Sequence, residues 1–138
     1  MPLFSTSPWP GTPRVLAVIR IIAALIFICS GTMKMFGWPH INFPMPPFSP
    51  LTEMGIGALL EVFGGAAIAL GLFTRPVAFI LSGEMAVAYF QFHAPRSFFP
   101  NVNNGTPAVL YSFFFFFLMF AGPGAWSIDG LIARSKNK

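Results

Sequence analysis

Four long apolar runs, each opened by a hydroxyl residue and a proline, constrain this chain more than any other feature. Thr12-Pro13, Ser49-Pro50, Thr74-Arg75-Pro76 and Thr106-Pro107 stand at their starts. A Ser or Thr can cap the free N–H groups of a helix start, and a proline in the first turn gives up an N–H that had no partner anyway. The pattern predicts helical spans over 13–36, 50–73, 76–94 and 107–122. At a 1.5 Å rise, about 17 to 25 residues cross a hydrocarbon layer of about 30 Å, so the first two runs fit and the last two need about one more turn. Inside lipid the backbone must satisfy its own polar groups, which leaves helices or a closed barrel, and these runs are too long for barrel strands.

Composition supports the same setting. Of 138 residues, 55% are hydrophobic and only 9% charged, too apolar a mixture to hide in one soluble core of this size. Eight Lys and Arg against four Asp and Glu give a formal charge of +4, too few and too scattered for a nucleic-acid-binding stripe. The single Cys29 excludes an intrachain disulfide, a CxxC redox pair and a multi-cysteine metal site. His40 and His93 have no third ligand spaced to join them, so no metal site is expected and both read as outer-rim residues. The opening "PLFSTSPWPGTPR" lacks the basic start of a secretory signal, so the N-terminus is expected to be retained.

The expected architecture is all-α: one domain over 1–138, an integral membrane four-helix bundle with a short C-terminal interfacial segment, "AWSIDGLIARSKNK". "FTRP" leaves almost nothing between the second and third spans, which makes them an antiparallel hairpin. The longer loops, "GWPHINFPMPPFS" and "APRSFFPNVNNG", fall at the other end. Arg14, Arg75, Arg134, Lys136 and Lys138 lie on the side of both termini, against Lys34 and Arg96 on the other. Both termini are therefore expected in the cytoplasm.

Arg20, Glu61 and Glu84 lie well within the apolar runs, with Lys34 and Gln91 towards the outer end. A charge at membrane depth costs about 2.5 to 3.5 kcal/mol on insertion scales, so such groups face the interior and pair. Counting inward from the outer ends at 1.5 Å per residue puts Glu61 about 15 Å below Leu51 and Glu84 about 13 Å below His93. The two acids thus share a depth that the Arg20 side chain can reach, and Arg20 is expected to contact one of them. Gly57, Gly64 and Gly65 flank Glu61 at helical spacing and let a neighbouring helix approach. Gln91 shares a face with Glu84, whereas His93 falls nearly opposite on a straight helix. Two readings stand side by side: a structural ion-pair network, or an interior polar cluster of Arg20, Lys34, Glu61, Glu84 and Gln91 that handles protons.

In order and spacing, Arg20, "SGTMKMFG" with Lys34, "LLEVFGGAAIALGLFTR" with Glu61, "GEMAVAYFQFHAPRSFFP" with Glu84 and His93, "NNGTPAVLY" and "GPGAWSID" resemble the DoxX family of small four-helix bacterial membrane proteins. One departure is Thr106-Pro107, where relatives often carry an acid just after the Asn-Gly loop. The resemblance implies a bacterial inner-membrane protein, not an enzyme alone, serving as accessory or anchoring subunit of a membrane redox or oxidative-stress system. It implies a soluble redox enzyme as partner besides the lipid bilayer, with quinone as the candidate cofactor. Homo-oligomerisation stays open. Two other classes also stay open, a membrane assembly factor or scaffold and a small proton-coupled transporter.

Overall fold

The computed structural model describes residues 3–137, and among these every regular element is helical. Helix α1 spans Thr12–Phe36, α2 Glu53–Leu70, α3 Thr74–Ala88, α4 Pro100–Asn103, α5 Thr106–Ala121 and α6 Ile128–Lys136. Two of them, α1 and α2, are long and apolar enough to cross a membrane. The four expected spans correspond to α1, α2, α3 with the turn that follows it, and α5. The short α4 lies in the loop between α3 and α5, where no helix was expected. Lys138, counted among the basic residues, lies outside the described residues.

The helix starts are not set by the expected hydroxyl caps. Thr12, Thr74 and Thr106 are already helical, and no side chain of theirs caps α1, α3 or α5. Only α2 is capped by a threonine, and the residue is Thr52, whose Oγ1 accepts from the Gly55 amide at 3.1 Å. That shifts the start of α2 from 50 to Glu53, because the extended Thr52 backbone is what frees its oxygen to fold over the first turn. Gly37 and Gly71 end α1 and α2 in the left-handed conformation, at φ 66° and 64°, where a Cβ would be strained.

Two helices carry a widened π turn: Leu60–Gly64 within α2 and Tyr89–His93 running on from α3. Both insert an extra residue into a turn and so re-aim the side chains beyond it.

Packing follows the small residues. A Cβ on Gly31 would stand 2.7 Å from Val62 and 2.8 Å from the Ala58 carbonyl, and one on Gly65 would stand 2.7 Å from Ile28, so α1 and α2 touch nearly backbone to backbone. Gly64 makes the corresponding room for Leu81 of α3. Helices α3 and α5 are joined by a reciprocal pair, Ser82 Oγ donating to the Ser112 carbonyl at 2.8 Å and Ser112 Oγ to the Ser82 carbonyl at 3.0 Å. Phe27, Ile68, Leu81, Phe115 and Leu118 fill the core between them. Outside it, Ile22, Phe63, Phe79 and Phe117 are more than half exposed, an apolar jacket that suits lipid contact.

Candidate functional site

The groove begins with a charge pair. Lys34, in the last turn of α1, reaches across the close α1–α2 contact and places Nζ 2.5 Å from Glu61 Oε1. Glu61 sits inside the π turn of α2 and is 2% exposed, while its second oxygen, Oε2, is buried and has no partner among the described residues. Glu84 comes from α3 and lies over Gly57, its Oε1 3.1 Å from where a Cβ would stand. Any larger residue at 57 would push it away. Its Oε2 is also buried without a partner among the described residues.

A groove of about 490 Å³ opens from these groups towards the loop end of the helices. Lys34 and Glu84 form its polar floor, Met54, Ile56, Leu60, Val87 and Phe92 its apolar sides, and Glu53, Gln91, His93 and Arg96 its mouth. The position of His93 corrects the straight-helix expectation. The π turn over Tyr89–His93 rotates it onto the wall that also bears Glu84 and Gln91. There its Nδ1 lies 3.0 Å from the Asn103 carbonyl. Asn103 is itself buried, donating to the Ser97 carbonyl at 2.6 Å and accepting from the Gly105 amide at 2.7 Å, so the loop between α3 and α5 fixes the groove mouth. His40 is exposed and is not part of the groove.

Arg20 is the second correction. It does not reach either acid. It is fully buried, and its guanidinium donates to five carbonyls: Pro123, Ile68, Ala69, Ala125 and Trp126, at 2.6 to 3.2 Å. The last carbonyls of α2 and the "GPGAW" turn converge there, and a planar five-donor group satisfies them together. Nearby Asp129 accepts from the amides of Phe73 and Thr74, both at 2.8 Å, and so supplies the cap that α3 lacks locally. Partial burial pushes the Asp129 carboxyl up, but these hydrogen bonds and the nearby Arg20 charge outweigh it and hold it below the usual aspartate value. The interior polar residues therefore divide into a groove cluster and a separate knot at the opposite end.

The sequence reading did not place Glu53 at the site, and it counted Arg96 only as a charge for orientation. Both sit at element boundaries, and the only signal was their place beside the runs that carry Glu61 and Glu84.

The DoxX family model matches residues 15–94, which carry Arg20, Lys34, Glu61, Glu84 and His93. The chain belongs to the DoxX family. Among its DoxX-type relatives, an uncharacterized protein of Haemophilus influenzae is 39% identical over 125 residues, covering 85% of this chain and 90% of the relative. The inner membrane proteins YqjF and YphA of Escherichia coli are 33% and 31% identical, covering 85% of this chain and 91% and 89% of their own lengths. No solved structure matches the chain. An inner-membrane location follows from the family and these relatives.

Proposed function

We propose that this protein is a multi-pass subunit, with four membrane-spanning segments and both termini in the cytoplasm, that holds a quinone-type headgroup in the groove floored by Lys34 and Glu84 for a membrane oxidoreductase. The observation that carries the reading is Glu84, which lines the groove floor and keeps a buried carboxylate oxygen, Oε2, with no partner among the described residues; a second such oxygen, Glu61 Oε2, belongs to the acid that Lys34 of the same floor binds. A purely structural ion pair would leave fewer acceptors unsatisfied, because a buried orphan oxygen costs about 1 to 3 kcal/mol. The π turns that carry Glu61 and His93 add to this, since such turns are frequent at functional sites.

A quinone, when bound, supplies the two-electron acceptor, and its electrons come from the partner enzyme. This chain's residues bind and manage protons. The sides at Leu60, Val87 and Phe92 would take an apolar ring and tail, Lys34 holds Glu61 in place through Oε1, and Glu84 would be the group to give or take a proton. Gln91, His93 and Glu53 at the mouth lead from that carboxyl towards water. The fit rests on the donor set: a tail needs apolar sides, a ring oxygen needs a hydrogen-bonding floor, and the groove has both.

Photoreactive quinone carrying a short isoprenoid tail, added to native membranes, tests the reading. Label should map to peptides around Leu60 and Val87 and fall with excess unlabelled quinone. Label spread evenly over lipid-facing helices would contradict it. For orientation, cysteines introduced at Pro46 and Asn103 in a Cys29-free background should react with an impermeant thiol reagent in intact cells. Reaction only after lysis would reverse the topology.

A further inference from the structure

A second recess lies at the opposite end of the molecule. About 400 Å³ in size, it sits between Ala69 and Leu70 at the end of α2 and the segment running from Gly124 to Leu131, with Arg134 at its edge. We propose that this recess seats the phosphate headgroup of an anionic phospholipid, with α6 lying along the bilayer surface.

Charge complementarity is the first support. Arg134 is the one charged side chain lining the recess, and among the described residues no acid pairs with it. The nearest candidate acid, Asp129, has both oxygens engaged by the amides of Phe73 and Thr74. Ser127 Oγ is likewise occupied, accepting from the Gly130 amide at 3.1 Å. A guanidinium left without a counter-ion is suited to a planar, two-point contact with a phosphate.

The walls decide for lipid over a free anion. Leu70, Trp126 and Leu131 border the recess and are 56%, 63% and 64% exposed. A soluble phosphate has no use for that apolar border, whereas the glycerol and upper acyl chain of a phospholipid cover it. Helix α6 has the matching pattern. None of its residues is buried. At 100° per residue, Leu131, Ile128 and Ile132 fall within an arc of roughly 100°, with Arg134 on one edge and Lys136 on the other. Such a helix rests at the interface with its apolar stripe down and its bases reaching the phosphate level. The Arg20 knot holds the entry to α6 rigidly, through the Ala125 and Trp126 carbonyls, so the recess is preformed.

The test uses the purified full-length protein in a neutral detergent, titrated with phosphatidylglycerol or phosphatidylcholine and read by native mass spectrometry. Phosphatidylglycerol should be retained in preference. Arg134→Gln should weaken its retention about five-fold, the effect of one basic residue at an anionic surface, which corresponds to roughly 1 kcal/mol. Because Arg134 is exposed and bonds no described residue, folding should be untouched, as circular dichroism would verify. Equal retention of both lipids, no change in Arg134→Gln, or full displacement by millimolar inorganic phosphate would each overturn the proposal. Independently, in a Trp9→Phe, Trp38→Phe background, brominated phosphatidylglycerol should quench Trp126 fluorescence, and the absence of quenching would place α6 away from the bilayer.

Discussion

Lys34 and Glu61 meet at 2.5 Å across the close α1–α2 contact, where Gly31 lets α1 lie against the Ala58 carbonyl of α2. The pair is asymmetric: Glu61 is 2% exposed, while the Lys34 side chain keeps 29% of its surface open. The lysine therefore brings its charge in from the groove to an acid that cannot leave. Lys34→Met should leave a lone buried carboxylate and cost about 3 kcal/mol, the low end for a broken buried pair because one partner is part-exposed. Adding Glu61→Gln should recover most of the loss in a double-mutant cycle by thermal unfolding in detergent. Purely additive losses would mean the two side chains are not coupled.

Arg20 should behave in the opposite way. Its five carbonyl partners belong to the backbone, so no second substitution can relieve them. Arg20→Leu is expected to cost on the order of 4 kcal/mol, several orphaned acceptors at about 1 to 3 kcal/mol each, with partial relaxation to water. Limited proteolysis should open the 122–127 turn first. Rescue by Glu61→Gln or Glu84→Gln would restore the acid-pair expectation that the structure replaces.

The Asp129 cap predicts a pH dependence. Its folded-state pKa is depressed, so the stability it lends is complete above the unfolded aspartate value of about 3.9 and is lost as pH falls through the lower folded value. Asp129→Asn should cost about 1 kcal/mol at neutral pH, discounted for solvent screening, and should flatten the acid limb of the stability curve below about pH 4. An unchanged acid limb would show that the cap is not what titrates there.

Two glycines give a contrast in packing. A Cβ at Gly83 would meet nothing within 4 Å, whereas one at Gly31 would collide with Val62 and Ala58. Gly83→Ala should stabilise by roughly 0.5 to 1 kcal/mol through helix propensity, and Gly31→Ala should destabilise. Equal effects in a thermal-shift assay would refute the close α1–α2 approach.

Helix type and approximate place were legible in the sequence because apolar runs of membrane length have few alternatives. The ends were harder to read. Ser49-Pro50 looked like a cap, yet Thr52 holds that role, and α3 borrows its cap from Asp129, 55 residues away in sequence from Thr74. Depth counting put Glu61 and Glu84 at one level because rise per residue is nearly constant, but it named Arg20 as the base within reach and left Lys34 towards the outer end, whereas Lys34 is the residue that meets Glu61. Direction around the helix was less secure. The π turns changed the azimuth of His93, and nothing in "YFQFH" announces an extra residue in the turn. Arg20 was misassigned for a different reason: charge counting finds acids as partners for arginine, but the acceptors here are carbonyls, which every residue carries.

The central claim is that the Glu61 and Glu84 carboxylates are kept for a ligand. It is tested most directly by calorimetric titration of the purified protein with a short-tailed quinone analogue, in two buffers of different ionisation enthalpy, for the wild type, Glu61→Gln and Glu84→Gln. Binding to the wild type should be accompanied by proton exchange with buffer, and Glu84→Gln should bind about ten-fold more weakly with that exchange lost, the loss of the hydrogen bond that a protonated Glu84 donates to the ring oxygen. Folded variants that bind as tightly as the wild type with the same proton exchange, or a folded wild type that does not bind at all, would contradict the account and leave the cluster a structural ion pair.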